Sequence, residues 1–179
     1  MSPGTRSALV LTVSDRSFGG SRPDASGERL QARLAGLGFE VERRVCPDEA
    51  PRIAQAIEEG AADHRLVITT GGTGLTPRDV TPQATATVLD YEVPGIAEAI
   101  RAEGRRHTPF AALSRGLAGV RGGSLVVNLP GSPKGALESF DVLEPLLQHA
   151  LETLAGPFDH GARRAQGRTD LPPTTPEEA

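Results

Sequence analysis

Cysteine is almost absent from this 179-residue sequence, in which Cys46 is the only one. A single cysteine excludes an internal disulfide and a metal site built from clustered thiolates, and it is typical of a reducing compartment. The sequence also contains no apolar run of about 18 residues, which is the length that a membrane helix needs. Residues 1–7 contain no apolar signal core. We therefore expect a cytoplasmic protein that does not bind a membrane.

Strong positive charge and clustered histidines are missing as well. Lys and Arg number 19 against 23 Asp and Glu, a net charge of −4, which argues against nucleic-acid binding. The four histidines, His64, His107, His149 and His160, follow no metal-ligand spacing, so we expect neither a zinc site nor a histidine base with a partner. Cys46 has no visible histidine partner either, which favours a buried or loop thiol over a nucleophile.

The patterned part of the chain is long enough for one domain with a substantial core. We expect this domain to span residues 8–160, after a flexible N-terminus over residues 1–7. From residue 161 to residue 179 the apolar periodicity stops, and Pro172, Pro173 and Pro176 stand among polar residues. That composition predicts a disordered, proline-rich tail.

Strands and helices are predicted to alternate along this domain. Buried β-branched runs predict strands over residues 8–14, 39–45, 66–70 and 124–129, and helical periodicity predicts helices over about 24–37, 53–61, 81–88, 94–104 and 133–156. Segment 108–123 predicts a short strand or a hairpin, and Pro145 predicts a kink or a break in the last helix. The alternation predicts an α/β fold, a three-layer α/β/α sandwich with a mostly parallel sheet and right-handed crossovers.

Two of these helices begin with the same local pattern. Thr81 precedes Pro82 and Ser132 precedes Pro133. Ser and Thr are preferred N-cap residues, and proline is tolerated at the first helical position because its missing N–H would be unpaired there. The pattern therefore predicts Thr81 and Ser132 as N-caps.

The stretch from Leu66 to Ala86, LVITTGGTGLTPRDVTPQATA, is the most distinctive in the chain. A buried strand leads into a glycine loop, a charged turn and a helix start, and glycines let backbone N–H groups approach an anion. The loop is not a Walker A motif, because no Gly-Lys-Ser/Thr follows at the required spacing, and it is not GxGxxG, because Pro77 occupies the last position. An anion site is favoured, and a simple tight turn is the alternative.

Four loops are predicted to follow strand carboxyl ends. Open α/β sheets bind ligands at that edge, so we expect the four loops to converge on one crevice. They are Ser14-Asp15, Pro47-Asp48-Glu49, the segment from Gly71 to Asp79, and the segment from Pro130 to Lys134.

Asp48 and Asp79 are the acidic candidates in these loops. A carboxylate just after the glycines, as at Asp79, could hold a hydrated Mg²⁺ that bridges phosphates. The alternative for each aspartate is a turn or capping residue. The Ser114-Arg115 and Ser132–Lys134 segments could donate hydrogen bonds to a second polar group, or make ordinary loop contacts. A solvated surface lysine is the alternative for Lys134.

Several separated motifs together resemble one known family. They are LTVSD, the PDE turn, TTGGTGLTPRDVTPQAT and PFAALSRGLAGVRGGSLVVNLPGSPKGA. In this order they resemble the molybdenum-cofactor-biosynthesis proteins of the MogA/MoaB type, which include the G domain of gephyrin, over about residues 8–158. The resemblance implies the molybdopterin-binding-domain fold.

The resemblance also implies an activity and a site. The activity is molybdopterin adenylyl transfer: the terminal phosphate of molybdopterin attacks the α-phosphorus of ATP, with Mg²⁺, and pyrophosphate leaves. It implies a homotrimer, with a downstream molybdenum-insertion protein as a candidate partner. The family's catalytic and metal-binding acidic positions fall on Asp48 and Asp79. The implied ligand-binding positions are Ser14, Asp15, Gly71, Gly72, Thr73, Gly74, Arg78, Ser114, Pro130, Gly131, Ser132 and Pro133.

Two other functions on the same fold stay open at this point. One is nucleotide pyrophosphatase activity, as in the related domain of competence-damage-type proteins. The other is a non-catalytic molybdopterin-binding or scaffolding paralogue. Asp48, Asp79, Thr81 and Pro82 are all present here, which favours an active adenylyltransferase.

Overall fold

The computed structural model describes residues 6–156. The predicted proline-rich tail and most of the predicted flexible N-terminus lie outside these residues, and Ser7 already belongs to the first strand. The elements in chain order are β1 Ser7–Val13, α1 Asp15–Phe18, α2 Ala25–Gly36, β2 Glu40–Cys46, α3 Ala50–Asp63, β3 Leu66–Thr70, α4 Thr81–Val88, β4 Tyr91–Glu92, α5 Pro94–His107, a 3-10 helix Pro109–Leu113, β5 Ala118–Arg121, β6 Ser124–Leu129 and α6 Pro133–Leu154.

The six strands form one mixed sheet in the order β2-β1-β3-β6-β5-β4. Strands β2, β1, β3 and β6 are parallel neighbours, whereas β5 runs antiparallel to both β6 and β4. In the register of the central strands, Thr12 of β1 pairs with Thr70 of β3, and Thr70 pairs with Leu129 of β6. The carboxyl ends of the four parallel strands therefore lie along one edge of the sheet.

Helices cover both faces of the sheet, because the central strands bury side chains on both sides. On one face, α2, α5 and α6 contribute Leu30, Ile100 and Phe140 to one apolar cluster. On the other face, α3 and α4 contribute Ile57 and Val88 to a second cluster. Successive residues of β1 alternate between the clusters. The predicted three-layer α/β/α sandwich is confirmed.

The strands β3 and β6 begin and end where the sequence predicts, at 66–70 and 124–129. Segment 108–123 forms a 3-10 helix followed by β5, which makes a hairpin with β6, so the prediction of a short strand or hairpin is partly correct. The four-residue helix α1 and the two-residue strand β4 had no counterpart among the predicted elements. Both are too short for periodicity to reveal.

Two predictions about helix positions need correction. Thr81 is the first residue of α4 and Val80 is its N-cap, with no side-chain cap bond. Pro145 was predicted to kink or break the last helix; the break is wrong, because α6 continues from Pro133 to Leu154, and the kink stays a prediction. The N-cap prediction at Ser132 is confirmed, since its side chain accepts a hydrogen bond from Gly135 N–H at 3.1 Å.

None of the helices within residues 6–156 has both the length and the apolar composition needed to cross a bilayer.

Cys46 is a free, buried cysteine, and burial raises the pKa of its thiol to about 12. The thiol is therefore protonated at neutral pH, which agrees with the interpretation of Cys46 as a buried thiol and not a nucleophile.

Candidate functional site

The glycine loop after β3 has a backbone that only glycine adopts readily. Gly71 has φ of +106° and Gly72 has φ of +64°. A Cβ on Gly71 would lie 2.3 Å from the carbonyl oxygen of Val13, and one on Gly72 would lie 2.3 Å from Thr81 Oγ1. The loop is therefore pressed against the end of β1 on one side and the start of α4 on the other. This close packing explains why the sequence places two glycines here.

Backbone hydrogen bonds determine which amides of this loop are available to a ligand. Gly71 N–H donates to the Leu129 carbonyl at 3.2 Å, so it is already occupied. Thr81 anchors the two carbonyls: its hydroxyl donates to Gly71 O at 2.9 Å and its N–H donates to Gly72 O at 3.1 Å. Within residues 6–156, the N–H groups of Gly72 and Thr73 make no hydrogen bond. They are the free donors that an anion needs.

Arg115 clamps the far side of the glycine loop. Its N–H donates to Thr73 O at 3.0 Å, its Nε donates to Gly74 O at 2.8 Å, and its Nη2 donates to Asp79 O at 2.5 Å. The sequence analysis gave Arg115 two alternatives, a donor to a second polar group or an ordinary loop contact, and the structure agrees with the second. In the structure its guanidinium and its backbone are committed to the loop itself, because the rigid fork can reach two carbonyls at once.

Asp79 is tied into the turn that follows the glycines. Its Oδ2 accepts hydrogen bonds from the N–H and the hydroxyl of Thr76, at 2.8 and 2.6 Å. Burial raises the pKa of Asp79, but the hydrogen bonds from Thr76 and the Gly74 N–H outweigh burial, so its pKa lies below the ordinary value. The carboxylate is therefore firmly ionised, and one of its oxygens already has a structural role.

Asp48 is joined to Asp15 by a reciprocal pair of hydrogen bonds. Asp15 N–H donates to Asp48 Oδ2 at 2.8 Å, and Asp48 N–H donates to Asp15 Oδ1 at 3.0 Å. Arg78 completes the group by donating from Nη2 to Asp15 Oδ2 at 2.5 Å. Residues from the loops after β1, β2 and β3 thus meet in one cluster, as their shared sheet edge predicts.

One carboxylate oxygen of Asp48 accepts no hydrogen bond from the described residues. Its Oδ1 makes no hydrogen bond within the described residues and lies 3.4 Å from the point where a Cβ on Gly72 would stand. Burial raises the pKa of Asp48, and the negative charges of Asp15 and Asp79 raise it further, against the Asp15 N–H and Arg78, which lower it. A carboxylate oxygen without a donor, facing the glycine loop, is suited to a cation, which would favour the ionised form.

Two cavities adjoin the glycine loop. The α5-side cavity has a volume of about 290 Å³. Of the residues predicted for the site, it is lined by Thr73, Gly74, Ser114, Pro130 and Ser132. Its remaining wall comes from α5, the 3-10 helix and α6, and it combines the apolar Ile100, Phe110 and Leu113 with polar groups that include Arg101 and Glu138.

The α2-side cavity, on the opposite side of the loop, has a volume of about 320 Å³. Its predicted site residues are Ser14, Gly71, Gly72, Gly131, Ser132 and Pro133. Its wall is polar and includes Thr12, Arg22 and the first residues of α2. Because Ser132 lines both cavities, they adjoin at the N-terminus of α6.

The structure thus divides the predicted site residues into three adjoining groups. Two groups line the two cavities, and the third is the Asp15, Asp48 and Arg78 cluster, with Asp79 nearby in the β3–α4 turn. Arg78 and Asp15 were predicted to contact ligand, yet both side chains are committed to each other. Whether any of these residues binds a ligand stays a prediction.

The buried side-chain amide of Asn128 connects the elements around the site, and the sequence analysis did not single it out. Asn128 on β6 donates from Nδ2 to the hydroxyls of Thr69 and Thr85, both at 2.9 Å, and its Oδ1 accepts from Leu117 N–H at 3.1 Å. It therefore links β6 to β3, to α4 and to the segment before β5. The only available signal was a polar residue within an otherwise apolar strand, SLVVNL.

Comparison with known proteins agrees with this geometry. The family model described as a probable molybdopterin binding domain matches residues 9–149. The chain belongs to the molybdopterin-binding domain family. The matched range contains nearly all of both core clusters, both cavities and all four strand-end loops, so the family resemblance predicted from the motifs is confirmed.

Curated members of the molybdopterin-binding domain family differ in length. The chain is 42% identical over 137 residues to a protein of Haemophilus influenzae named molybdopterin adenylyltransferase, covering 74% of this chain and 70% of that protein. It is 41% identical over 150 residues to the molybdenum cofactor synthesis protein cinnamon of Drosophila melanogaster, covering 81% of this chain. The chain spans only 25% of the Drosophila protein and 49% of a bifunctional molybdenum cofactor biosynthesis protein of Synechococcus elongatus.

Solved structures of the family have the same fold. A Thermus thermophilus structure named as the molybdopterin biosynthesis enzyme MoaB is 50% identical, has a TM-score of 0.79, and covers 85% of this chain and 98% of its own. A MogA structure is 42% identical with a TM-score of 0.81, and the match covers 84% of this chain and all of MogA.

Proposed function

We propose that this protein transfers an adenylyl group from ATP to molybdopterin. In this reaction an oxygen of the terminal phosphate of molybdopterin bonds to the α-phosphorus of ATP, the bond between the α-phosphorus and the bridging oxygen breaks, and pyrophosphate leaves with that oxygen. The observation that carries the proposal is the pair of cavities that adjoin at Ser132, on either side of a loop with free amides. A reaction that joins two phosphorylated ligands needs such a double site.

The two cavities suit different parts of the ligands. The polar α2-side cavity contains Gly71 and Gly72 and adjoins the N-terminus of α6, which favours negative charge, whereas the N-terminus of α2 is already capped by the Asp24 carboxylate. The α5-side cavity has apolar side chains in its wall that suit a ring system. The free N–H groups of Gly72 and Thr73 lie between them and would hold a phosphate at the point of transfer. Within the site, no nucleophilic side chain is needed, because the attacking group is already a phosphate anion.

The carboxylates fit a bound Mg²⁺. Within residues 6–156 no group of three or more His, Cys, Asp or Glu is placed to hold a metal, but Mg²⁺ in nucleotide sites is held by one or two carboxylates with phosphate and water oxygens. The free Oδ1 of Asp48 is the best placed ligand, and Asp79 is the second candidate. When bound, Mg²⁺ would neutralise phosphate charge and stabilise the charge that develops on pyrophosphate.

Purified protein should convert molybdopterin and ATP, with Mg²⁺, into adenylylated molybdopterin and one pyrophosphate per product. Product is measured by mass spectrometry and pyrophosphate by a coupled assay. The variants Asp48→Asn and Asp79→Asn should both lose at least about a hundredfold in kcat, since each removes a carboxylate charge that would hold Mg²⁺ against the phosphates. Binding of molybdopterin without transfer would instead indicate the non-catalytic paralogue, and rapid hydrolysis of ADP-ribose would indicate a pyrophosphatase.

We also propose that the protein is a cytoplasmic homotrimer and that it delivers its product to a molybdenum-insertion protein. The single cysteine is the support for the location. The support for self-association is the exposure of large apolar side chains around the α5-side cavity, where Leu75, Phe110 and Leu113 are 63%, 74% and 51% exposed.

A further inference from the structure

Both carboxylate oxygens of Asp15 are already used by the protein. Oδ1 accepts from Asp48 N–H at 3.0 Å and Oδ2 accepts from Arg78 Nη2 at 2.5 Å. Asp48, in contrast, uses only Oδ2 and keeps Oδ1 free beside Gly72. Of these two neighbouring aspartates, only Asp48 therefore has a carboxylate oxygen without a hydrogen bond to the described part of the protein.

The pairing with Arg78 is not explained by the stability of folding. The side chains of Arg78 and Asp15 are 61% and 46% exposed, and ion pairs with that exposure contribute little to folding because water screens them. The geometry nevertheless is specific, because the Asp15–Arg78 pair joins the loop after β1 to the turn before Asp79, while Asp15 and Asp48 order each other's backbone.

We propose that Asp15 and Arg78 are positioning residues, which hold Asp48 with Oδ1 directed at the glycine loop and do not themselves bind substrate. Asp15 Oδ1 accepts the hydrogen bond from Asp48 N–H and so fixes the peptide plane of Asp48. Asp15 N–H donates to Asp48 Oδ2 and so fixes the Asp48 carboxylate. Arg78 keeps the Asp15 carboxylate in the orientation that makes the first of these bonds. This assignment differs from the sequence-based one, in which both residues contact ligand.

The chain offers a matched control for this pair. Arg52 forms an ion pair with Glu49 at 3.3 Å, and its side chain is 62% exposed, almost the same as that of Arg78. Glu49 follows Asp48 in the chain, yet neither Arg52 nor Glu49 makes a hydrogen bond to Asp48 in the part of the chain that the structure describes. Arg52→Gln removes an equally exposed arginine from the same neighbourhood without touching the Asp15–Asp48 pair.

The kinetic test rests on the proposed adenylyl transfer and compares Arg78→Gln, Asp15→Asn and the double variant. Asparagine at position 15 has one acceptor oxygen for two donors, so one contact must break. Each single variant should lower kcat on the order of ten- to a hundredfold, because small misplacements of a reacting group have effects of that size. The KM for ATP should change less than about twofold, and the double variant should resemble the worse single variant because both changes break one unit.

Two further kinetic results complete this test. Arg78→Lys should recover part of the lost kcat, since it retains one charged donor, and Arg52→Gln should match the wild type. Additive losses in the double variant, or a raised KM for ATP with an unchanged kcat in Arg78→Gln, would overturn the proposal and assign Arg78 to ligand binding.

A second measurement does not depend on the reaction. In hydrogen exchange followed by mass spectrometry, the amides of Asp15 and Asp48 should exchange faster in Arg78→Gln, on the order of tenfold, and remain unchanged in Arg52→Gln. If the wild type transfers no adenylyl group, the proposed function fails while this measurement still tests the positioning. Unchanged exchange at Asp15 and Asp48 in Arg78→Gln would show that the positioning role is wrong.

Discussion

Asp48 and Asp79 have opposite electrostatic environments although they lie in neighbouring loops. The pKa of Asp48 lies above the ordinary value of 3.8, chiefly through burial. The pKa of Asp79 lies below 3.8, because hydrogen bonds from Thr76 and Gly74 outweigh its burial. Folding therefore favours the neutral form of Asp48 and the ionised form of Asp79. The two aspartates should therefore affect stability in opposite directions, although both are proposed to act in adenylyl transfer.

The two asparagine variants should consequently differ in stability at neutral pH. The neutral Asp48 carboxyl favours folding below pH 3.8, and that contribution is lost as the pH rises through its folded-state pKa, so Asp48→Asn should raise Tm at pH 7. The ionised Asp79 favours folding above pH 3.8 and loses that contribution as the pH falls, so Asp79→Asn should lower Tm at pH 7.

Thermal unfolding by circular dichroism between pH 3 and pH 8, with a chelator present, measures both effects. Both differences from the wild type should shrink toward acid pH, where all carboxyls are protonated. Changes of the same sign in the two variants at pH 7 would show that the charges of these carboxylates do not determine the stability differences.

At the scale of single residues, the sequence predicted where polar groups lie but not which of them already form hydrogen bonds within the protein. Glycines, aspartates and Arg78 were correctly expected at one sheet edge. Two details depend on side-chain distances across 36 to 63 residues of chain, which no local pattern records. They are the Asp15 oxygen that Arg78 contacts and the carbonyls that Arg115 binds. Asp48 and Asp79 each use Oδ2 for hydrogen bonds within the protein, and the structure accordingly adds weight to Asp48, because its free Oδ1 lies beside Gly72.

At the scale of secondary-structure elements, prediction succeeded where one physical cause dominated. The strands β3 and β6 are buried at every residue, and their apolar sequences LVITT and SLVVNL reveal this. Pro145 shows the opposite case. A helix interior disfavours proline, but α6 buries Phe140, Leu143, Leu147 and Leu151 on one side, and this packing keeps the helix continuous.

Replacing Pro145 should therefore stabilise the protein. Pro145 is exposed, so Pro145→Ala leaves no cavity in the core, and alanine restores the N–H that can bond to the carbonyl of Asp141. We expect a gain of about 1–3 kcal/mol in the free energy of unfolding, measured by urea denaturation. Gln148→Ala, an exposed change on the same helix, serves as the control and should stay within about 0.5 kcal/mol. A loss of stability in Pro145→Ala would mean that the proline ring itself supports the packing of α6.

At the scale of the whole molecule, the exposed apolar side chains make self-association testable. Phe110 and Leu113 belong to the 3-10 helix, and Leu75 follows the glycine loop, so their contacts would lie close to the α5-side cavity. Sedimentation velocity at micromolar concentration should give the mass of three chains. A monomer at that concentration would contradict the proposed trimer.

The order of strands in the sheet determines when the site forms during folding. The neighbours β1, β3 and β6 lie far apart in the chain, with Leu11 paired to Thr69 and Thr69 paired to Asn128. Such distant pairings form late and together, so folding should be slow and all-or-none. No fragment that ends before β6 can assemble the loops around Asp48, and ligand affinity should disappear over the same denaturant range as the secondary structure.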